Sequence, residues 1–211
     1  MPLVKAPSAP APGGPDRTPP SRDAVLADLN ADVADTRRAA ARACRAFSDA
    51  IALIAGRLEV EEDTRVVEAL VLNLVAIGGP AAAAALAPLL RSDRAGCRFA
   101  AAEALADMGP DALPFFDALI RDPDPQVRIM AAEIARGRAG GAVVQTLEHL
   151  LATEEETNVC CAFIDVLAET GTVETAAALT AVLARLPENP FLRFSVETAL
   201  SRLPMARLPT D

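Results

Sequence analysis

The chain has 211 residues, with 20 Lys plus Arg against 29 Asp plus Glu, for a formal net charge of −9. It is 52% hydrophobic, yet it holds no Trp, no Tyr, one His and seven Phe. No membrane-spanning helix is expected: the one charge-free run of that length, residues 69–90, is broken by Asn73, Gly78-Gly79-Pro80 and Pro88. The composition excludes disorder throughout, because there is ample apolar surface to bury. It also argues against nucleic-acid binding, because phosphates need cations and single strands need aromatic platforms.

In chain order the first feature is a tail. Seven of the first twenty residues are Pro, with Gly13–Gly14 and scattered Ala and Ser between them. Such a segment cannot bury a core, so residues 1–20 are expected to form a disordered, partly polyproline-II arm. The N-terminus lacks the apolar stretch of a secretory signal, which makes the cytoplasm the expected compartment. The four cysteines, Cys44, Cys97, Cys160 and Cys161, include no C-x-x-C pair and suit a reduced, mostly buried set. The richness in Ala, Arg and Pro points to a bacterial source.

From Ser21, which suits a helix N-cap, the chain repeats itself. The polar residues Asn73, Glu103, Glu133, Asp165 and Glu197 recur at intervals of 30, 30, 32 and 32. Leu86, Phe116, Leu147 and Leu179 keep step with them, as do Leu90, Ile120, Leu151 and Leu183. Each period opens on a polar step such as Asp122-Pro123-Asp124-Pro125 or Glu155-Glu156-Thr157-Asn158. An Ala-rich helix follows, then a turn at Gly78-Gly79, Gly109, Gly140-Gly141 or Gly171, where glycine supplies a left-handed C′ position. A second helix with an i, i+3, i+4 apolar stripe completes the unit. No sustained period of two occurs, so no strand is expected.

Candidate chemistry is sparse. His149 is the only histidine and cannot build a metal site alone. The recurring carboxylates are one repeat apart, about 10 Å, too far for one cation to bridge, so they are expected to be structural. Glu154-Glu155-Glu156 reads as a solvated helix start, and Arg37-Arg38 with Arg42 and Arg45 as a solvated helix face. Phe115 sits where other units carry Ala85, Thr146 and Ala178, and either fills a gap between repeats or anchors a partner. Phe194 is expected to close the core and Phe191 to lie at an exposed end. No nucleophile with a neighbouring base, P-loop or dinucleotide fingerprint is present. No catalytic residue, cofactor or metal is therefore assigned.

The stretch Asp93-Arg94-Ala95-Gly96-Cys97-Arg98-Phe99-Ala100-Ala101-Ala102-Glu103, echoed by Asp124-Pro125-Gln126-Val127-Arg128, resembles HEAT-like repeats of the short type found in phycobilisome-lyase-like proteins. The resemblance covers roughly residues 25 to 203. It implies an all-α, right-handed α–α superhelix of five to six helical hairpins over residues 21–203, with a short tail at 204–211. It also implies a ladder between repeats made by Asp93, Arg98, Asp124 and Arg128. Cys160 stands at the Arg position of its unit, and Glu68 where Arg is expected in another. It implies as well that the second helices line the concave face. On that assignment Phe115, Asp117, Arg121, Gln145, Glu148 and His149 form the expected partner-binding surface.

Fold-level likeness carries no activity by itself. The leading functional expectation is a non-enzymatic scaffold or adaptor for a protein partner with a basic surface. The alternative is a lyase-like or chaperone-like role on a cofactor-bearing partner.

Overall fold

The computed structural model describes residues 19–136, 140–186 and 188–203. Most of the expected arm, residues 1–18, and the tail 204–211 lie outside the described residues. The described chain is all-α. Its helices are α1 (Arg22–Leu29), α2 (Ala34–Ala43), α3 (Ala50–Val60), α4 (Thr64–Ile77), α5 (Gly79–Leu86) and α6 (Ala95–Met108). They continue with α7 (Leu113–Leu119), α8 (Pro125–Ala135), α9 (Gly141–Leu151), α10 (Thr157–Thr170), α11 (Thr175–Arg185) and α12 (Pro190–Arg202). Short 3₁₀ turns at Cys44–Ala46, Ala87–Arg91 and Gly109–Asp111 complete the second-layer connections.

Five hairpins, α2–α3 through α10–α11, stack between α1 and an unpaired α12. The first helices α2, α4, α6, α8, α10 and α12 form one continuous row, each packed on the next. The second helices form a looser parallel row, with α3 on α5 and α9 on α11. Ala40, Ala101 and Ala131 occupy one buried position of the first row. A small side chain there lets neighbouring axes approach closely and adds no rotamer entropy. The predicted second-helix stripe is confirmed: Leu86, Leu147 and Leu179 are fully buried and Phe116 nearly so.

The N-caps fix the register of the first row. They fall at Val33, Asp63, Arg94, Asp124, Glu156 and Asn189. Asp63, Asp124 and Asn189 accept hydrogen bonds from the backbone N–H groups that open their helices. Two residues before the cap stands a side-chain acceptor: Glu61, Ser92, Asp122 or Glu154. Glu61 Oε1 accepts from the N–H groups of Glu62 and Asp63, and Glu154 Oε1 from those of Glu155 and Glu156. Asp122 Oδ1 and Ser92 Oγ accept from the N–H groups of Asp124 and Arg94.

Four residues after the cap stands the arginine of the ladder. Arg37 Nη1 donates to the carbonyls of Ala31 and Asp32, Arg98 Nη1 to Ser92 and Asp93, and Arg128 Nη1 to Asp122 and Pro123. Arg37 also reaches forward to Glu61 at 2.8 Å, and Arg128 to Glu154 at 2.9 Å, tying each unit to the next. Arg91 takes Asp122 in the corresponding place. The carboxylates that link units are thus Glu61, Asp122 and Glu154. Asp93 contributes its backbone carbonyl, and the Asp124 side chain caps its own helix. Glu154 is correspondingly a half-buried corner residue rather than part of a solvated acidic run, whereas Glu155 and Glu156 are exposed.

Two units lack the arginine, with Val67 and Cys160 in its place. Val67, rather than Glu68, is the residue at that position. In each of these units another guanidinium binds nearby carbonyls, at the end of α3 in the first and at the step itself in the second. Arg94 donates to Leu58 and Glu59, and Arg185 to Leu151 and Glu154. The Cys160 thiol also donates to the Glu154 carbonyl.

Gly78, Gly79 and Gly109 hold positive φ, as the turns require. Gly171 does not. It is extended (φ −69°), and its glycine is needed for space. A Cβ there would sit 2.4 Å from the Leu167 carbonyl oxygen and within 2.9 Å of the Thr175 side chain. Gly171→Ala should therefore lower stability by about 1–3 kcal/mol, read as a fall in the urea midpoint at unchanged m.

The last described helix differs from the others at one place. Val71, Ala132 and Ile164, eight residues after their caps, are buried, whereas the equivalent Glu197 of α12 is exposed. Arg193 holds the ladder position, four residues after the cap, as Arg37, Arg98 and Arg128 do.

The corner carboxylates give a pH signature. Burial works to raise the Glu61 carboxyl, but hydrogen bonds from Arg37, the Asp63 N–H and Arg57 outweigh it and hold the group at about 2. Its folded value lies below its ordinary one. Its stabilising contribution is therefore full above about 4.5 and is lost as pH falls toward 2. Urea melts between those values should show stability falling with pH, and Glu61→Gln should flatten that slope while lowering stability at neutral pH.

Candidate functional site

The exposed surface of the first-helix row carries the largest unpaired apolar side chains. Counting from each N-cap, the fifth residue is Arg38 in α2, Glu68 in α4, Phe99 in α6, Ile129 in α8, Cys161 in α10 and Phe194 in α12. Phe99 is 65% exposed and Phe194 72%, with Phe191 beside it at 74%. Ile129 and Cys161 are half-buried and packed against the core beneath. From α6 to α12 this position makes an apolar ridge across four helices.

One turn further along each helix, at the ninth residue, stand Arg42, Leu72, Glu103, Glu133, Asp165 and Thr198. Glu103, Glu133 and Asp165 are exposed and form an acidic rail beside the ridge. Glu133 is engaged by Arg136, which caps the same helix, and Arg136 reaches across to Glu169 of α10 at 2.7 Å. Asn73 does not belong with these carboxylates. It is buried, and its amide donates to the Ala41 carbonyl across the α2–α4 contact, while Leu72, 66% exposed, takes the surface place. Glu197 likewise falls one residue before the rail.

Grooves lie between these helices. One of about 440 Å³ separates α6 from α8, lined by Phe99, Ala102, Glu103, Ile129, Met130 and Glu133 among others. A second, about 220 Å³, lies between α4 and α6 under Leu72, Val75, Glu103 and Asp107. At the α2–α4 end the surface turns basic around Arg38, Arg42 and Arg65. Arg37, by contrast, is turned inward as the ladder residue, so the basic run is only partly a solvated face.

The residues expected on the second-helix face are placed as follows. Asp117 on α7, Arg121 just beyond it, and Gln145 and His149 on α9 are exposed. Phe115 is half-buried and packed against the core. Glu148 accepts a hydrogen bond from the Thr175 hydroxyl at 2.6 Å, which ties α9 to the start of α11. Phe194, expected to close the core, is one of the most exposed residues; Leu192 and Val196 fill that role.

Reactive chemistry is confined. Cys44, Cys97 and Cys160 are buried, and burial pushes the Cys44 thiol up and the Cys160 thiol up to about 11. Cys161 is half-buried on the ridge, with the Ser195 hydroxyl 3.6 Å from its sulfur. Among the described residues no three His, Cys, Asp or Glu converge on a metal-sized site. None of the described helices is long and apolar enough to cross a membrane.

The fold and this surface define an α-solenoid with a patterned face. The profile of the HEAT repeats family matches residues 112–201. The chain is 31% identical over 154 residues to the uncharacterized phycocyanin operon protein Z of Pseudanabaena tenuis, which covers 69% of this chain and 76% of that one. The chain therefore belongs to the family of HEAT-repeat proteins that includes that operon protein. Among solved structures, an engineered protein aligns at 18% identity, with a TM-score of 0.45, over 84% of this chain and 96% of its own. The complex of CpcE and CpcF of phycocyanin lyase from Nostoc aligns at 20% identity, with a TM-score of 0.33, over 95% of this chain and all of its own.

With the protein native, a thiol-reactive maleimide should label Cys161 first. Cys44, Cys97 and Cys160 should react only after denaturant is added. Mass spectrometry of the peptides checks the order, and early labelling of Cys160 would contradict the packing described.

Proposed function

We propose that the protein is a non-enzymatic interaction scaffold that docks a protein partner along the first-helix face. The observation that carries this reading is the exposure of Phe99, Phe191, Phe194 and Leu72 on one helix row, beside a file of carboxylates. Large apolar side chains in contiguous exposed patches mark contact surfaces, and their charged surroundings select the partner. The net charge of −9 favours a partner with a basic surface. No step of bond chemistry is needed. The described surface offers no activated nucleophile, and the rest of the molecule is a stacked frame that holds the face rigid.

The second-helix residues Asp117, Arg121, Gln145, Glu148 and His149, with Phe115, remain the alternative surface. Affinity capture from the cells that make the protein separates the two faces. Phe99→Asp with Phe194→Asp should release the captured partner, whereas Asp117→Lys should retain it. Retention by the Phe variants together with loss on Asp117→Lys would move the site to the second-helix face. Retention by all of them would sink docking on either.

A second reading has its own support in the likeness to a phycocyanin operon protein. On it the partner is a cofactor-bearing protein, and this chain presents or shields that partner during assembly. The buried thiols of Cys44, Cys97 and Cys160 favour a role without covalent attachment of a pigment. Incubation with bilin followed by denaturing electrophoresis should leave the chain uncoloured. A coloured band would identify the chain as a carrier and overturn the scaffold reading.

A further inference from the structure

Spacing and charge on the first-helix face define what can lie there. Phe99, Ile129, Cys161 and Phe194 are presented by four successive helices. Packed helices lie about 8–10 Å apart, so the ridge runs roughly 30 Å across the stack. An α-helix advances about 1.5 Å per residue, and seven residues advance about 10 Å. A helix laid across the row therefore brings one residue in seven over each successive repeat. An extended strand has no such coincidence with its two-residue alternation.

The two sides of the ridge differ. On the side of the ninth position run Glu103, Glu133 and Asp165. On the side of the second position stand Gly96, Gln126, Asn158 and Phe191, which carry no charge. Toward the N-terminal end the pattern stops. Glu68 and Leu72 exchange roles in α4, and Arg38 and Arg42 replace both rows in α2. The face is thus bounded at one end by cations and edged on one flank by anions.

We infer that the face from α6 to α12 is a docking site for an amphipathic helix of a partner protein, with an apolar residue every seventh position and Lys or Arg along one flank only. This rests on the scaffold reading above and specifies the partner for that same face. The apolar seam covers Phe99, Ile129 and Phe194, the basic flank meets Glu103 and Asp165, and the other flank is neutral. Arg38 and Arg42 set the polarity, because the end of the segment that projects beyond α6 toward α2 must not be basic. Charge complementarity on one side alone fixes both the rotation and the direction of the bound helix.

The test uses the full-length protein and three labelled helical peptides of about 22 residues, enough to span ~30 Å. All three carry Leu in a heptad seam, with Lys on one flank, Glu on that flank, or Lys on both. Fluorescence anisotropy should show the one-flank Lys peptide binding at least about tenfold more tightly than the Glu peptide. Lys on both flanks should give no further gain. Phe99→Asp, Glu103→Lys and Asp165→Lys should each weaken it, and Asp117→Lys on the other helix row should not.

Equal binding of Lys and Glu peptides, or equal weakening by Asp117→Lys, would overturn the inference as non-specific attraction to an acidic protein. A native dimer that Phe99→Asp converts to a monomer would assign the face to a second copy and also overturn it. So would binding that needs removal of residues 1–18, since the arm would then be the occupant. If the peptides fail while capture still depends on Phe99 and Phe194, the face binds a partner of other chemistry and only this inference falls.

Discussion

Every step between repeats turns the backbone through a corner and leaves carbonyl groups pointing into a half-buried space. A guanidinium closes that corner at four steps, bonding to the carbonyls of Ala31, Ser92, Asp122 and Glu154. Unpaired carbonyls there would cost the desolvation of a buried acceptor, which weak Ala–Ala packing cannot offset. The guanidinium has the right shape for the task. Its fork reaches two successive carbonyls with one nitrogen and can still present two others to a carboxylate in the next unit. Arg37 and Arg128 do both. Where Cys160 replaces the arginine, Arg185 enters from elsewhere to meet the Glu154 carbonyl. Where Val67 replaces it, Arg94 binds the end of α3 instead. More than one residue can thus meet a corner carbonyl.

That corner also explains how the surface becomes patterned. Once the N-caps and corner acceptors fix where each first helix starts, its fifth and ninth residues must fall on the outer face. Alanines underneath keep adjacent helices close, so side chains from separate repeats line up as ridge and rail. The face is a product of register, and its chemistry is free to vary because it contributes little to the core.

The fold was legible in the sequence because the repeat is written several times over. Leu86, Leu147 and Leu179 mark the second helices without ambiguity, and all are buried. What the spacing could not reveal was the exact register. The steps differ in length, since N-caps are separated by 30, 31, 30, 32 and 33 residues. Counting from a polar residue inside the helix therefore placed Asn73 with Glu103, one position off. The same slip hid Leu72 and set Glu197 on the rail in place of Thr198. The ladder carboxylates were missed for a related reason. Asp93 and Asp124 lie close to the expected place, but Glu61, Asp122 and Glu154 keep an equally regular spacing two residues before the caps. Counting back from the caps would have found them. Phe194 misled because an aromatic near the chain end looks like core, although Leu192 and Val196 already hold the buried stripe.

A stacked repeat has no intrinsic reason to stop. Any end that copied the middle would offer a fresh apolar surface to the start of another molecule, and head-to-tail addition would generate an open filament. Glu197 puts a charge on the side of α12 where Ile164 puts carbon on α10. A second copy stacked there would bury that carboxylate, and burying an unpaired charge is costly. One glutamate on the last described helix thus works against head-to-tail growth.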